Sequence, residues 1–201
     1  MNKKILVINA SPRKGGHIAR LLEYSAVYLR NRGYSIRTFN VAEAQYRFCT
    51  GCMACRKRGE CVLPEDDADR LGRLLEECDR IVIGVPCYWG NMPGQLKGLF
   101  DRLVYKMMSD NESYIPRPLM KGKRAIIIST STTPWPWNRL FHQTSGVVRA
   151  LKEIFRYSGI KVAATFQKGN TRGKAGITHS ELSKLNSKLQ RLNIESEVDF
   201  F

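Results

Sequence analysis

The sequence predicts a three-layer α/β fold: five parallel strands in the order 2-1-3-4-5, doubly wound, with helices on both faces. Three observations carry this. Short, continuous apolar runs occur of the kind shown by strands buried on both faces. They alternate with segments whose apolar residues recur at helical spacing. The three least ordinary loops, Ser11–Ile18, Pro86–Met92 and Thr130–Trp137, all follow strands, at the carboxyl edge where such sheets take their ligands.

The elements follow in order. Lys4–Asn9 is the first apolar run and the first strand. After the turn Ala10–Gly16, apolar positions Ile18, Leu21, Leu22 and Leu29 mark a helix that Gly33 stops. Ser35–Asn40 alternates polar and apolar residues, as an edge strand does. A cysteine-rich loop occupies residues 45–64, and Asp66, Asp67 and Asp69 then crowd the positive end of a helix running to about Cys78. Arg80–Pro86 is the third strand. Pro93 opens a helix carrying Leu96, Leu99, Phe100 and Leu103 on one side. Arg124–Thr130 is the fourth strand, and a helix is expected from about Arg139 to Tyr157. Lys161–Phe166 is the fifth strand. A Gly-rich basic stretch, Lys168–Gly176, precedes a last helix whose start has the capping-box spacing of Thr178 and Glu181. No repeat or long linker divides the chain, so residues 1–201 are expected to form one domain with a basic C-terminal extension at 167–201.

The 201 residues are 43% hydrophobic and 25% charged, which excludes a mainly disordered or low-complexity chain. No apolar run approaches the ~18–20 residues that cross a bilayer, and the run behind Lys3 and Lys4 is too short for a secretory signal, so a cytoplasmic protein is expected. The formal net charge of +15 draws anions, whether nucleotides, nucleic acid, acidic proteins or anionic lipid. Because the basic residues are spread along the chain rather than gathered into an arm, nucleic acid is the minor expectation.

In the first loop, Ser11, Arg13, Gly15 and Gly16 join a buried strand to a helix start, where unpaired amides and the helix dipole favour an anion. The loop is neither the dinucleotide nor the Walker glycine pattern. Four of the six cysteines, Cys49, Cys52, Cys55 and Cys61, fall within thirteen positions. Thiolates at such spacing suit an iron–sulfur cluster, zinc or redox chemistry in a reducing compartment, and the basic residues nearby favour the thiolate form.

Taken together, the run Asn9–Gly16, the Cys49–Cys55 cysteines followed by Cys61 and Asp66-Asp67, the loop Pro86–Gly90 and the segment Gln95–Arg102 resemble the NADPH-dependent FMN reductase group of flavodoxin-like proteins, and especially its iron–sulfur flavoproteins. The likeness covers residues 4 to about 166. It implies an FMN phosphate on Ser11, Arg13, Gly16, His17 and Ile18. The last two positions depart from the family's usual Asn and Thr or Ser, which removes one hydroxyl donor. It implies a flavin-ring loop of Pro86, Cys87, Tyr88, Trp89, Gly90, Asn91 and Met92, with Thr130, Ser131 and Thr132 reaching the ring from the other side. Tyr88 and Trp89 offer stacking area and Gly90 close backbone approach, while the Cys87 thiol is read as structural. Trp135 and Trp137 are expected to cover the flavin or a subunit contact. The four clustered cysteines are implied as ligands of a [4Fe–4S] cluster.

The function implied is an FMN-dependent, electron-transferring oxidoreductase fed by NAD(P)H or a ferredoxin, assembled as a homodimer or homotetramer. Two alternatives stand beside it: a cluster-free NAD(P)H-dependent FMN or quinone reductase, and a basic nucleic-acid or partner-binding module on the same fold.

Overall fold

The computed structural model describes residues 3–109, 116–172 and 176–192. The expected basic stretch lies outside these residues at 173–175, as does the end of the expected extension at 193–201. The elements are β1 (Lys4–Asn9), α1 (His17–Arg30), β2 (Ser35–Asn40), α2 (Ala54–Arg58), α3 (Asp67–Glu77), β3 (Arg80–Pro86), α4 (Gly94–Arg102), α5 (Val104–Met107), β4 (Met108–Ser109), β5 (Arg117–Pro118), β6 (Arg124–Thr130), α6 (Trp137–Leu140), α7 (Gln143–Ser158), β7 (Lys161–Lys168) and α8 (His179–Leu189). The main sheet is parallel, in the order β2-β1-β3-β6-β7. Counted over its five strands this is the expected 2-1-3-4-5. The two-residue strands β4 and β5 pair antiparallel outside it.

The apolar runs serve two cores at once. Leu6, Ile8, Ile81, Ile83 and Ile127 pack with Leu71, Leu75, Leu99, Leu151 and Phe155 on the face covered by α3, α4 and α7. Ile5, Val7, Val82, Ile126 and Ile128 pack with Leu21, Leu22, Leu185 and Leu189 under α1 and α8. Successive side chains of a strand point to opposite faces, so a strand covered on both sides has no polar positions to spare. Each such residue, fully buried, contributes roughly 1.5–3 kcal/mol. Helix ends follow local chemistry. Asp66 and Asp69 form a reciprocal capping box at the start of α3, and Thr178 and Glu181 form another at α8.

Three expectations need correction. The helix expected over 139–157 is broken: α6 ends at Leu140, and α7 restarts behind His142, whose φ of 53° is left-handed. The cause is tertiary, because the first turn of α7 packs against the loop after β3. Next, the cysteine loop contains the short helix α2, bounded by left-handed Met53 and Gly59. Finally, β7 continues past Phe166 to Lys168, and α8 buries Leu185 and Leu189 against the sheet, so this part of the expected extension belongs to the fold.

Candidate functional site

β1, β3 and β6 end side by side, and the loops that leave them are tied together by backbone bonds. The Ala10 N–H donates to Gly84 O at 2.9 Å, and the Cys87 N–H to Thr130 O at 2.8 Å. Between the loops lies a crevice of about 100 Å³, lined by Ser11, Arg13, Gly16, His17, Ile18, Pro86, Cys87, Tyr88, Thr130, Ser131, Thr132 and Thr171.

The first loop is stapled from within. Asn9 Oδ1 accepts the Ser11 N–H at 3.0 Å, Ser11 Oγ accepts the Arg13 N–H at 3.2 Å, and Arg13 O accepts the Gly16 N–H at 3.1 Å. Ser11 Oγ thus keeps its own hydrogen to donate. Gly16 caps α1 without a side-chain acceptor, and the first turn holds no acidic residue. Helix amides and the positive dipole end therefore meet Ser11 and Arg13 at one place. That is the donor set a phosphate requires.

The second loop is a tight turn in which Tyr88 and Asn91 exchange N–H···O bonds of 2.9 Å each way. Trp89 and Gly90 at its corners have φ of 52° and 72°, a pair of left-handed residues that suits such a turn. Trp89 projects fully into solvent. The turn rests on α7: a Cβ on Gly146 would lie 2.0 Å from Gly90 O. The Cys87 thiol donates to Gln143 Oε1 at 3.4 Å, and burial pushes its pKa up, so it is a neutral thiol at neutral pH. Asn91 and Met92 line a separate, largely apolar cavity of about 380 Å³ between α4, α5 and α7, where Met92 is buried.

Of the residues singled out for a flavin, the structure therefore brings those of the first and third loops, with Pro86, Cys87 and Tyr88, to one crevice. Trp89 and Gly90 stand at the turn corner beyond it, and Asn91 and Met92 face the neighbouring cavity. Thr171 is not singled out by the sequence although it follows the fifth strand at the same carboxyl edge. Its Oγ1 donates to Ser131 O at 2.9 Å, and its N–H to the same oxygen at 3.1 Å. Trp137 stacks on Phe141 with centroids 5.7 Å apart, and both stay exposed beside Trp135.

The cysteine loop is anchored at its base. Arg102, almost wholly buried, donates to Arg47 O at 2.7 Å and Asp66 Oδ2 at 2.9 Å, and reaches Asp69 Oδ2 at 3.4 Å. Burial alone would lower its pKa, but the Asp66 bond and the neighbouring negative charges hold it raised. The Tyr46 hydroxyl donates to Gln95 O at 2.6 Å, and Asp67 Oδ2 accepts the Gln45 N–H at 2.7 Å. Tyr105 donates to Asp69 Oδ1 at 2.9 Å, and burial together with that bond holds its pKa raised. All six cysteines are free. Cys55 is raised by burial and then by the charges of Cys61, Cys49 and Cys52, which makes the four thiols electrostatic neighbours. Cys52 is exposed and lowered by the Ala54 amide and the Thr50 hydroxyl. Among the described residues no three His, Cys, Asp or Glu side chains close into a metal-holding group. The donor chemistry fits a soft-metal cluster; the loop as it stands is open.

The fold and the crevice at its strand ends define a flavodoxin-like protein. A family model described as flavodoxin-like fold matches residues 3–191, and the chain belongs to that family. The match runs well beyond Phe166, near which the likeness carried by the motifs ends, and takes in α8. An iron–sulfur flavoprotein of Archaeoglobus fulgidus is 35% identical over 120 residues, covering 60% of this chain and 50% of that protein. An iron–sulfur flavoprotein of Clostridioides difficile is 30% identical over 192 residues, covering 94% of this chain and 76% of its own. The chain spans about half the length of several of the curated relatives it matches. In the crystal structure of an FMN-dependent NADH-azoreductase from Bacillus anthracis in complex with FMN, the same fold is seen with a TM-score of 0.74 and 16% identity, covering 96% of this chain and 99% of that one. Among the described residues no helix is long and apolar enough to cross a membrane.

Proposed function

We propose that the protein is an FMN-dependent oxidoreductase that takes electrons from NAD(P)H and passes them on through a flavin held in the strand-end crevice. The observation that carries this reading is the meeting of the acid-free, uncapped start of α1 with Ser11 and Arg13, directly beside Tyr88 and Thr130–Thr132. Named relatives that are flavoproteins, and a structural neighbour that holds FMN, support it.

In this reading the α1 amides, Ser11 Oγ and the Arg13 guanidinium hold the phosphate. Fixed donors at a helix end lose little entropy when an anion arrives. His17 and Ile18 line the same seat. Tyr88 lies against the ring, with the turn corner at Trp89 and Gly90 just beyond it, and Thr130, Ser131 and Thr132 address its polar edge. Cys87, kept as a neutral thiol by burial, serves as packing and not as a nucleophile. When bound, FMN supplies the exchange between two-electron and one-electron chemistry. The chain's part is to bind and orient it.

We further propose Cys49, Cys52, Cys55 and Cys61 as ligands of a [4Fe–4S] cluster, on their donor chemistry and their shared electrostatic environment. A second reading, a cluster-free NAD(P)H-dependent FMN or quinone reductase, is favoured by one observation: among the described residues the thiols are not closed into a ligating group. An anaerobic absorption spectrum before and after dithionite, with iron and acid-labile sulfide analysis, decides. The expected result is flavin bands near ~375 and ~450 nm with a broad bleachable shoulder and stoichiometric iron. Flavin bands without iron select the second reading, and a colourless protein that takes up no FMN contradicts both.

A further inference from the structure

We propose that a second groove, on the outer side of β7, binds a nucleotide carrying more than one phosphate, with the chemistry of the phosphorylated half of a dinucleotide electron donor. The groove encloses about 880 Å³ between the segment around Trp135–Arg139, the last residues of β7 and one face of α8. β7 is an edge strand, so this flank is not closed by another strand.

Its charge is one-sided. Glu181, Lys184 and Lys188 share the groove face of α8, alongside the stripe of buried Leu185 and Leu189. Lys168 and Arg139 line the groove from the other elements. The acid is already engaged: Glu181 Oε1 accepts from Lys168 Nζ at 2.5 Å, and Oε2 from the Thr178 N–H at 2.9 Å. Arg139, Lys184 and Lys188 have no ion-pair partner among the described residues. Three uncompensated cations around one bounded groove attract a compact polyanion rather than a single carboxylate.

Two further features select a nucleotide among polyanions. Trp135 stands at the rim with 73% of its surface exposed, a flat platform for a base. Asn138 lines the groove, 1% exposed; its amide donates to Thr144 Oγ1 at 3.3 Å, while its Oδ1 is buried without a partner. A buried acceptor left unpaired is costly, and an exocyclic amino group is the kind of donor that satisfies it. The groove also adjoins the flavin crevice. Lys168 O accepts the Ser131 N–H at 3.0 Å, and Thr171 bonds back to Ser131 O, so the wall of one is the rim of the other. That such a nucleotide would be part of the electron donor rests on the flavin reading above; its binding does not.

The test is calorimetric titration of the full-length, FMN-loaded protein with adenosine 2′,5′-bisphosphate and, separately, with 5′-AMP. The parent is compared with Trp135→Ala and with the exposed-face double variant Lys184→Glu/Lys188→Glu. Bisphosphate is expected to bind one to one and about tenfold or more tighter than AMP, the double variant to lose about tenfold or more, and Trp135→Ala to lose about fivefold or more. Absorbance at ~450 nm, reporting bound flavin, is expected to be unchanged in the Lys184→Glu/Lys188→Glu variant. Absence of bisphosphate binding, equal binding to the parent and the double variant, or displacement by a single-stranded oligonucleotide at lower concentration overturns the proposal. Bisphosphate binding to a protein that takes up no flavin sinks the flavin reading and leaves this site standing.

Discussion

Gly146→Ala tests how the loop after β3, proposed to meet the flavin ring, is held. Gly146 lies in the first turn of α7, and a Cβ there would sit 2.0 Å from Gly90 O and 3.1 Å from Gly90 C. An unstrained carbon–oxygen contact is about 3.3–3.6 Å, so one backbone must retreat by on the order of 1.3 Å. Both sides are main chain, and the turn is locked by its two 2.9 Å bonds between Tyr88 and Asn91, so no side chain can absorb the shift. Overpacking of this sort costs about 1–3 kcal/mol. In a chain of this length that is a drop of roughly 2–12 °C in Tm. Cys87 and Tyr88 line the crevice and must move with the turn. If about 1 kcal/mol of the strain falls on the bound state, FMN affinity weakens about fivefold. Thermal unfolding and a fluorescence-quenching titration of the apoprotein with FMN measure both effects. Gly94→Ala is the control: it opens α4, nothing lies within 4 Å of its Cβ, and the change is expected to be neutral or to raise Tm. A Gly146→Ala protein with parental Tm and parental FMN affinity would refute the placement of the loop.

Removing Arg102 strikes the base of the cysteine loop instead. Arg102→Met leaves Asp66, Asp69 and the Arg47 carbonyl without their buried donor. A loss of about 3 kcal/mol in urea unfolding is expected, at the low end for a broken buried pair because the two aspartates keep their capping box. FMN uptake should survive. In metal-free protein, alkylation followed by mass spectrometry should mark Cys52 first, since it is exposed and its pKa is lowered. Cys78 should react last, because burial pushes its pKa up to about 11. Asp67 is held below the usual carboxylate range by the Gln45 amide, against a smaller burial penalty, and by Arg70. Its contribution is complete above the unfolded pKa of about 3.9 and is lost as pH falls through the lower folded value. Asp67→Asn should therefore flatten the acid limb of the urea-midpoint-versus-pH curve and leave the neutral region parallel to the parent.

Strands β1, β3 and β6 are legible in the sequence because each is buried on both faces, and that demand leaves the middle of each run, Ile5–Ile8, Ile81–Ile83 and Ala125–Ile128, without a polar residue. β2 is legible from its alternation, since only one side of an edge strand is fully covered. The acidic run from Asp66 to Asp69 announces α3, and the capping-box spacing of Thr178 and Glu181 announces α8, because a helix start is settled locally by side chains that meet its free amides. The break at His142 is not legible: Arg139–Tyr157 reads as one helix, and only the contact of Gly146 with Gly90, far apart in the chain, dictates where it divides. The short helix inside the cysteine loop stays hidden for a similar reason, being framed by left-handed Met53, a conformation that no pattern of polarity reveals. The turn of the first loop into α1 can be read from its glycines and its place behind a buried strand. Thr171 cannot, because its role depends on a bond to Ser131 across the strand ends.

Everything proposed for the crevice depends on the start of α1 gripping the phosphate of a flavin. Titrating the apoprotein side by side with FMN and with riboflavin, which lacks only that phosphate, tests it most directly. One-to-one binding of FMN at least about tenfold tighter than riboflavin, with the preference abolished in Arg13→Ala, is the expected result. Equal affinity for the two flavins, or no uptake of either, would contradict it.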